Sequence, residues 1–222
     1  MEARPEALLF DVNETLLDLN GLRPHFALAL GSAELMGEWF ARLLHRSLLA
    51  NQLDRYEPFD DLAVEALLVV ARRRHLELGP DGARRVVDAM GELPPHPEVP
   101  EALGLLRRHG YVMVAVSNNS GRVLTQQLQF AELAGLFDVV FSVDEVGRFK
   151  PAADVYQTAA AEAGVSPAAA LMVAAHDWDI LGARYAGLPG VFVSRPGAVW
   201  SLADPPPRLV VSDLNGLVHA LV

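Results

Sequence analysis

The sequence contains no cysteine. Disulfides, thiolate metal sites and a cysteine nucleophile are therefore excluded. It also lacks any charge-free run of about 18 apolar residues, the length at which a membrane-spanning helix is suspected. Basic residues are scarce: 18 Lys and Arg stand against 28 Asp and Glu, for a net charge of −10. Phosphate backbones are bound by clustered cations, so general nucleic-acid binding is not expected. The runs Arg72-Arg73-Arg74 and Arg84-Arg85 lie within helical patterns and read as solvated helix faces. The N-terminal MEARPEALLF mixes acids with bases and leads into a strand-like stretch, unlike a secretory leader. A cytoplasmic protein is the expectation.

What remains is ample for a core. The chain has 222 residues, 51% of them hydrophobic. Strand-like apolar runs are Ala7–Val12, Tyr111–Ser117, Val139–Val143, Ala170–Ala174, Gly190–Val193 and Leu209–Val211. Helical patterns fall at Val99–Arg108, Gly121–Leu133, Ala153–Ala163, Trp178–Ala186 and Leu214–Leu221. Strands alternating with helices predict an α/β fold with a Rossmann-like parallel sheet. Right-handed crossovers would then gather the C-terminal strand ends along one edge, where open α/β sheets bind ligands. From about Asn20 to about Met90 only helical periodicity appears. The proline-rich GELPPHPEVP follows, so a helical cap is predicted between the first strand and the rest. The expected division is a core of residues 1–16 and 95–222 and a cap of residues 17–94.

Four strand-like runs end in polar clusters: FDVNET (10–15), VSNNS (116–120), RFKP (148–151, with a helix expected from Pro151) and AAHDWD (174–179). In a parallel sheet these loops converge, which is a stronger signal than any one of them. An isolated Asp11 would read as a turn or helix-cap acid. Beside three partner loops it reads as a nucleophile. Thr15, Ser117 and Asn118 could orient it and donate hydrogen bonds to developing charge. Lys150 would keep it ionised. Asp179 opens a helical pattern and could face Lys150 or merely complement the helix dipole. Tyr156 could pack with a wet hydroxyl. His176 could be a ligand, a base or a loop residue, and Trp178 a pocket wall.

With these clusters in place, the chain resembles the haloacid dehalogenase superfamily, and within it the L-2-haloacid dehalogenases. The resemblance rests on FDVNETL, VSNNS, RFKPAADVY and DWDILGARYAG, in order, from Phe10 to about Gly187 and including the cap. It implies that Asp11 is the nucleophile, that Thr15, Ser117 and Asn118 support it, and that Lys150, Tyr156, Trp178 and Asp179 fall on site positions. It implies displacement of halide from C2 of a short 2-haloalkanoic acid, an aspartyl ester, and hydrolysis to a 2-hydroxy acid with no metal or other cofactor. A homodimer is compatible with the resemblance alone. Phosphatases of the superfamily carry a second Asp two residues after the nucleophile to protonate the leaving alkoxide. Here that position is Asn13, and the place of another family acid is Ala175. A halide leaves as a stable anion and needs no such proton, so both changes point to the dehalogenase branch. The chain also departs from that branch. Phe40 follows Trp39 where an arginine that binds halide and substrate is expected, and His176 replaces an asparagine. Asn13, Phe40, Tyr156, His176 and Trp178 are the expected substrate-binding residues. The rival readings are a Mg²⁺-dependent small-molecule phosphatase and a non-catalytic binding protein.

Overall fold

The computed structural model describes residues 4–222; Met1 to Ala3, which the expected core includes, lie outside the described residues. Each apolar run forms a strand in chain order: β1 (Ala7–Phe10), β2 (Val112–Ser117), β3 (Val139–Ser142), β4 (Ala170–Ala174), β5 (Gly190–Val193) and β6 (Leu209–Val211). They build one parallel sheet in the order β3-β2-β1-β4-β5-β6. β1 and β4 are buried along their whole length. That is why they read as unbroken apolar runs and not as alternating ones.

The helices packed with this sheet are α5 (Val99–Arg108), α6 (Gly121–Phe130), α7 (Ala153–Glu162), α8 (Asp177–Tyr185) and α9 (Leu214–Leu221). The inserted segment is helical: α1 (Arg23–Leu30), α2 (Leu35–Leu53), α3 (Phe59–Arg73) and α4 (Pro80–Asp88). Numbered along the chain, these four precede α5. Thus the fold is the expected α/β core with an inserted helical cap. The cap's exit and return run side by side: Asp18 N–H donates to Pro94 O at 2.8 Å, and His96 N–H to Leu16 O at 2.9 Å. None of the described helices is long and apolar enough to cross a membrane.

One boundary is corrected. α7 starts at Ala153, where its helical pattern began and two residues after the expected Pro151, which lies in the preceding turn.

The chain leaves β1 to build β2 and β3 on one side, then crosses to build β4, β5 and β6 on the other. The switch point therefore lies beside β1, and the residues following β1 open onto it.

Candidate active site

Asp11 is the first residue beyond β1. Its N–H donates to Val173 O at 3.0 Å, which extends the ladder with β4 by one bond. The chain then folds back sharply. Leu16 and Leu17 N–H groups both donate to Val12 O, at 2.9 and 3.0 Å, and Glu14 takes a positive φ of 64°. A non-glycine residue there is strained and needs local compensation. The turn brings the Thr15 hydroxyl to Asp11 Oδ2 at 2.6 Å. Thr15 Oγ1 also accepts from Ala175 N–H at 2.9 Å. A hydroxyl has one proton, so with that acceptance in place Thr15 donates to Asp11.

Lys150 completes the centre. Its Nζ donates to Asp11 Oδ1 at 2.7 Å, to Asp179 Oδ2 at 2.7 Å and to Val116 O at 3.2 Å. All three ammonium protons are thereby used. Asp179 Oδ1 accepts from the Tyr156 hydroxyl at 2.6 Å. Thr15, Lys150, Tyr156 and Asp179 are at most 1% exposed, and Asp11 is 5% exposed. Lys150 is the chain's only lysine.

Burial and charge compete here. Burial raises the Asp11 carboxyl, but Lys150, His176 and the Thr15 hydrogen bond outweigh it, and the group ends below its ordinary value. Asp179 is raised: burial leads, the nearby Asp11 charge adds to it, and Lys150 only partly offsets both. Burial works against the Lys150 ammonium, yet two carboxylates hold it above its ordinary value. Burial and Asp179 push the Tyr156 phenol up, so it keeps its proton and donates it to Asp179. The site thus holds one firmly ionised carboxylate, one more basic carboxylate and a cation between them.

The sequence assigned Ser117 and Asn118 to the Asp11 carboxylate as donors; in the structure the acceptor atom of each takes a backbone N–H. Ser117 Oγ accepts from Asn119 N–H at 3.1 Å, and Asn118 Oδ1 accepts from Lys150 N–H at 2.8 Å. Short polar side chains at a strand end compete for nearby backbone, and here the backbone wins. Tyr156 is fully buried, and its hydroxyl faces Asp179 instead of solvent.

Asn13 faces an amide network. Its Oδ1 accepts from Gln127 Nε2 at 2.9 Å, while Gln127 Oε1 accepts from Asn119 Nδ2 at 2.7 Å. Gln127 also donates to Met90 O at 2.8 Å, tying α6 to the end of the cap. Gln127 and Asn119 escaped the sequence reading. The signal for Gln127 was a polar residue on the apolar face of α6, beside Val123, Leu124 and Leu128.

Arg195 escaped it too, although it lies just beyond the β5 end in the same pattern as the other clusters. Its guanidinium donates twice to Thr15 O, at 3.1 and 2.8 Å, and to Glu98 Oε1 at 2.6 Å. It pins the turn that carries Thr15. Arg195→Gln is expected to lower stability by about 2–3 kcal/mol in a denaturant titration, the scale of charge-assisted hydrogen bonds lost within the protein.

His176, Trp178 and Phe40 line the approach. The His176 ring stacks on Trp178 at 5.1 Å between centroids and lies 6.1 Å from Phe40. His176 Nε2 is 3.4 Å from Glu14 Oε2 and 3.9 Å from Asp11 Oδ2. A cavity of about 130 Å³ lies over Lys150, walled by Leu44, Ser47, Leu48 and Trp178. Asp177 is turned away: Oδ2 accepts from Ser201 N–H at 3.0 Å and from Ser201 Oγ at 2.6 Å. Among the described residues no group of three His, Asp or Glu side chains is arranged to hold a metal ion.

A sequence model of the haloacid dehalogenase-like hydrolases matches residues 5–187. The chain belongs to this family. An (S)-2-haloacid dehalogenase of Pseudomonas sp. (strain YL) is 30% identical, over 96% of this chain and 93% of the relative. (S)-2-haloacid dehalogenase 4A of Burkholderia cepacia is 32% identical, over 97% of this chain and 91% of the relative. A crystal structure of a dehalogenase with an intermediate complex superposes with a TM-score of 0.92 at 30% identity, covering 100% of this chain and 99% of that one. The family resemblance drawn from the four strand-end clusters is therefore correct.

Proposed function

We propose that the protein hydrolyses a short 2-haloalkanoic acid to the 2-hydroxy acid through an ester on Asp11, without a metal. The observation that carries this reading is the Asp11 carboxylate: ionised, fixed by Thr15 and Lys150, and set at the switch point. The relatives named as (S)-2-haloacid dehalogenases support it over nearly the whole chain.

A carboxylate oxygen of Asp11 attacks C2 from the side opposite the halogen. The C–O bond forms as the carbon–halogen bond breaks, and the halide leaves with the electron pair. Water then adds to the carbonyl carbon of the Asp11 ester. Lys150, already 2.7 Å from Asp11 Oδ1, stabilises the oxyanion. Asp179, made more basic by burial, receives a proton from Lys150 while Lys150 takes one from the attacking water. The ester carbon–oxygen bond breaks, the proton held by Asp179 returns through Lys150 to the departing alkoxide, and the 2-hydroxy acid leaves carrying one former Asp11 oxygen, while the second water proton passes to solvent as Asp11 ionises again. Asp11 retains the water oxygen.

His176, beside Glu14 and stacked on Trp178, offers its imidazole to the substrate carboxylate in this reading. It stands against Phe40, where the family arginine is replaced. Leu44, Leu48 and Trp178 enclose the carbon chain. Residues 17–94 form the cap, joined to the core through the paired segments near Asp18 and Pro94. Metal independence fits the donor set. Asp11 and Asp179 both engage the ammonium, Asp177 engages Ser201, and Asn13 offers no acid.

Halide release from chloroacetate and L-2-chloropropionate, measured with and without EDTA, tests the reading. Equal release in both conditions is expected. Activity abolished by EDTA and restored by Mg²⁺ would overturn it.

A further inference from the structure

The peptide that precedes Lys150 is gripped from the cap. Asn51, in the last turn of α2, donates through Nδ2 to Phe149 O at 2.7 Å and accepts through Oδ1 from Phe149 N–H at 2.9 Å. Both backbone polar groups of Phe149 are thus held by one amide. The Phe149 ring is held by the same layer, with centroids 5.0 Å from Tyr56 and 5.7 Å from Phe59. Tyr56 adds a hydrogen bond to Asp144, at the start of the same loop. On the other side, Lys150 N–H donates to Asn118 of the core. The Phe149–Lys150 pair is therefore a seam, with cap contacts on Phe149 and core contacts on Lys150.

We infer that Asn51 is a positioning residue for Lys150, setting the ammonium between Asp11 and Asp179 through the Phe149 peptide. The inference rests on the proposed role of Lys150 in the reaction. Its physical basis is reach. Lys150 Nζ makes two 2.7 Å bonds at once, and a small displacement of its backbone breaks one of them. An amide that bonds both N–H and C=O of the preceding residue fixes position and rotation together, which a single bond does not. With α2 docked, the backbone of Lys150 is held from both sides. With α2 withdrawn, the Phe149 N–H loses its partner, and what remains is the bond from Ala152 N–H to Phe149 O at 3.0 Å and the bond from Lys150 N–H to Asn118.

The single lysine makes this directly observable. In untagged protein labelled with [¹³Cε]-lysine, one side-chain signal reports Lys150 alone. Asn51→Ala is expected to move that signal towards the position of free lysine. With chloroacetate, kcat should fall by about tenfold to a hundredfold, the scale of misplacing a reacting group by about 1 Å. KM should stay within about twofold. Asn51→Asp keeps the size and one acceptor but loses the donor to Phe149 O, and should show the same change in smaller degree. Gln52→Ala, exposed on the same helix, should leave the signal and kcat at wild-type values. A folded Asn51→Ala protein whose lysine signal is unmoved overturns the inference, whatever its activity. So does a rise in KM at unchanged kcat. If the wild type releases no halide, the dehalogenase reading fails while the lysine signal still decides the role of Asn51.

Discussion

Asp11→Asn is expected to abolish halide release, by about 10⁴-fold or more, because it removes the group that forms the covalent bond. The fold should survive. Asparagine has nearly the same shape, its Oδ1 can still accept from Thr15 or Lys150, and the Lys150–Asp179 pair remains. Circular dichroism and the unfolding midpoint should therefore stay close to wild type while activity vanishes. The companion experiment is a single turnover of the wild type in ¹⁸O water, followed by mass spectrometry of the peptide bearing Asp11. One labelled oxygen should enter Asp11, since hydrolysis at the ester carbonyl leaves the water oxygen there. Turnover without label would mean that water attacks C2 itself and Asp11 forms no ester. Retention of activity within tenfold in Asp11→Asn would remove the nucleophile assignment altogether.

Lys150→Met should also eliminate activity, and it should destabilise the protein in a pH-dependent way. Methionine fills much of the same volume but leaves Asp11 and Asp179 buried with no cation between them. Breaking a buried ion pair on one side costs about 3–5 kcal/mol. In the wild type the Asp11 carboxyl is depressed, so its contribution is present above the ordinary carboxyl range and lost as pH falls through its folded value. Without Lys150, burial dominates both carboxyls and raises them. A raised acid disfavours the folded state at neutral pH, and this penalty disappears as the group protonates. The stability gap between Lys150→Met and wild type should thus be widest near neutrality and narrow towards pH 5. Denaturant titrations at pH 5 and pH 8 measure it. A gap that widens in acid would show that the two carboxylates are not what Lys150 balances.

These two expectations differ in kind. Asp11 is replaceable for folding because Lys150 keeps a second partner. Lys150 is not, because both carboxylates depend on it. The structural role of the cation explains why three elements far apart in the chain, the β1 end, the α7 approach and the start of α8, must close on one point.

Much of this was legible in the residues. β4, β5 and β6 and helices α5 and α9 coincide with their apolar patterns, β4 as an unbroken run because both its faces are buried. Convergence of Asp11, Lys150 and Asp179 followed from parallel topology alone. Thr15, four residues past Asp11, was placed by a local turn. What the residues left open has a common cause. Ser117 and Asn118 have side chains short enough to bond either across the site or to adjacent backbone, and spacing does not distinguish these. Tyr156 lies on a helix whose neighbours determine its burial.

Long-range pairing marks the remaining boundary. Gln127 meets Asn13 across 114 residues, Arg195 meets Thr15 across 180, and Asn51 meets Phe149 across 98. The order and chemistry of the strand-end clusters belong to the sequence, because strand periodicity and crossover handedness bring them to one edge. Which polar group satisfies which, and that the cap holds the lysine loop, was decided only by tertiary packing. Each buried donor must find an acceptor in three dimensions, and the choice depends on distances that no local pattern encodes.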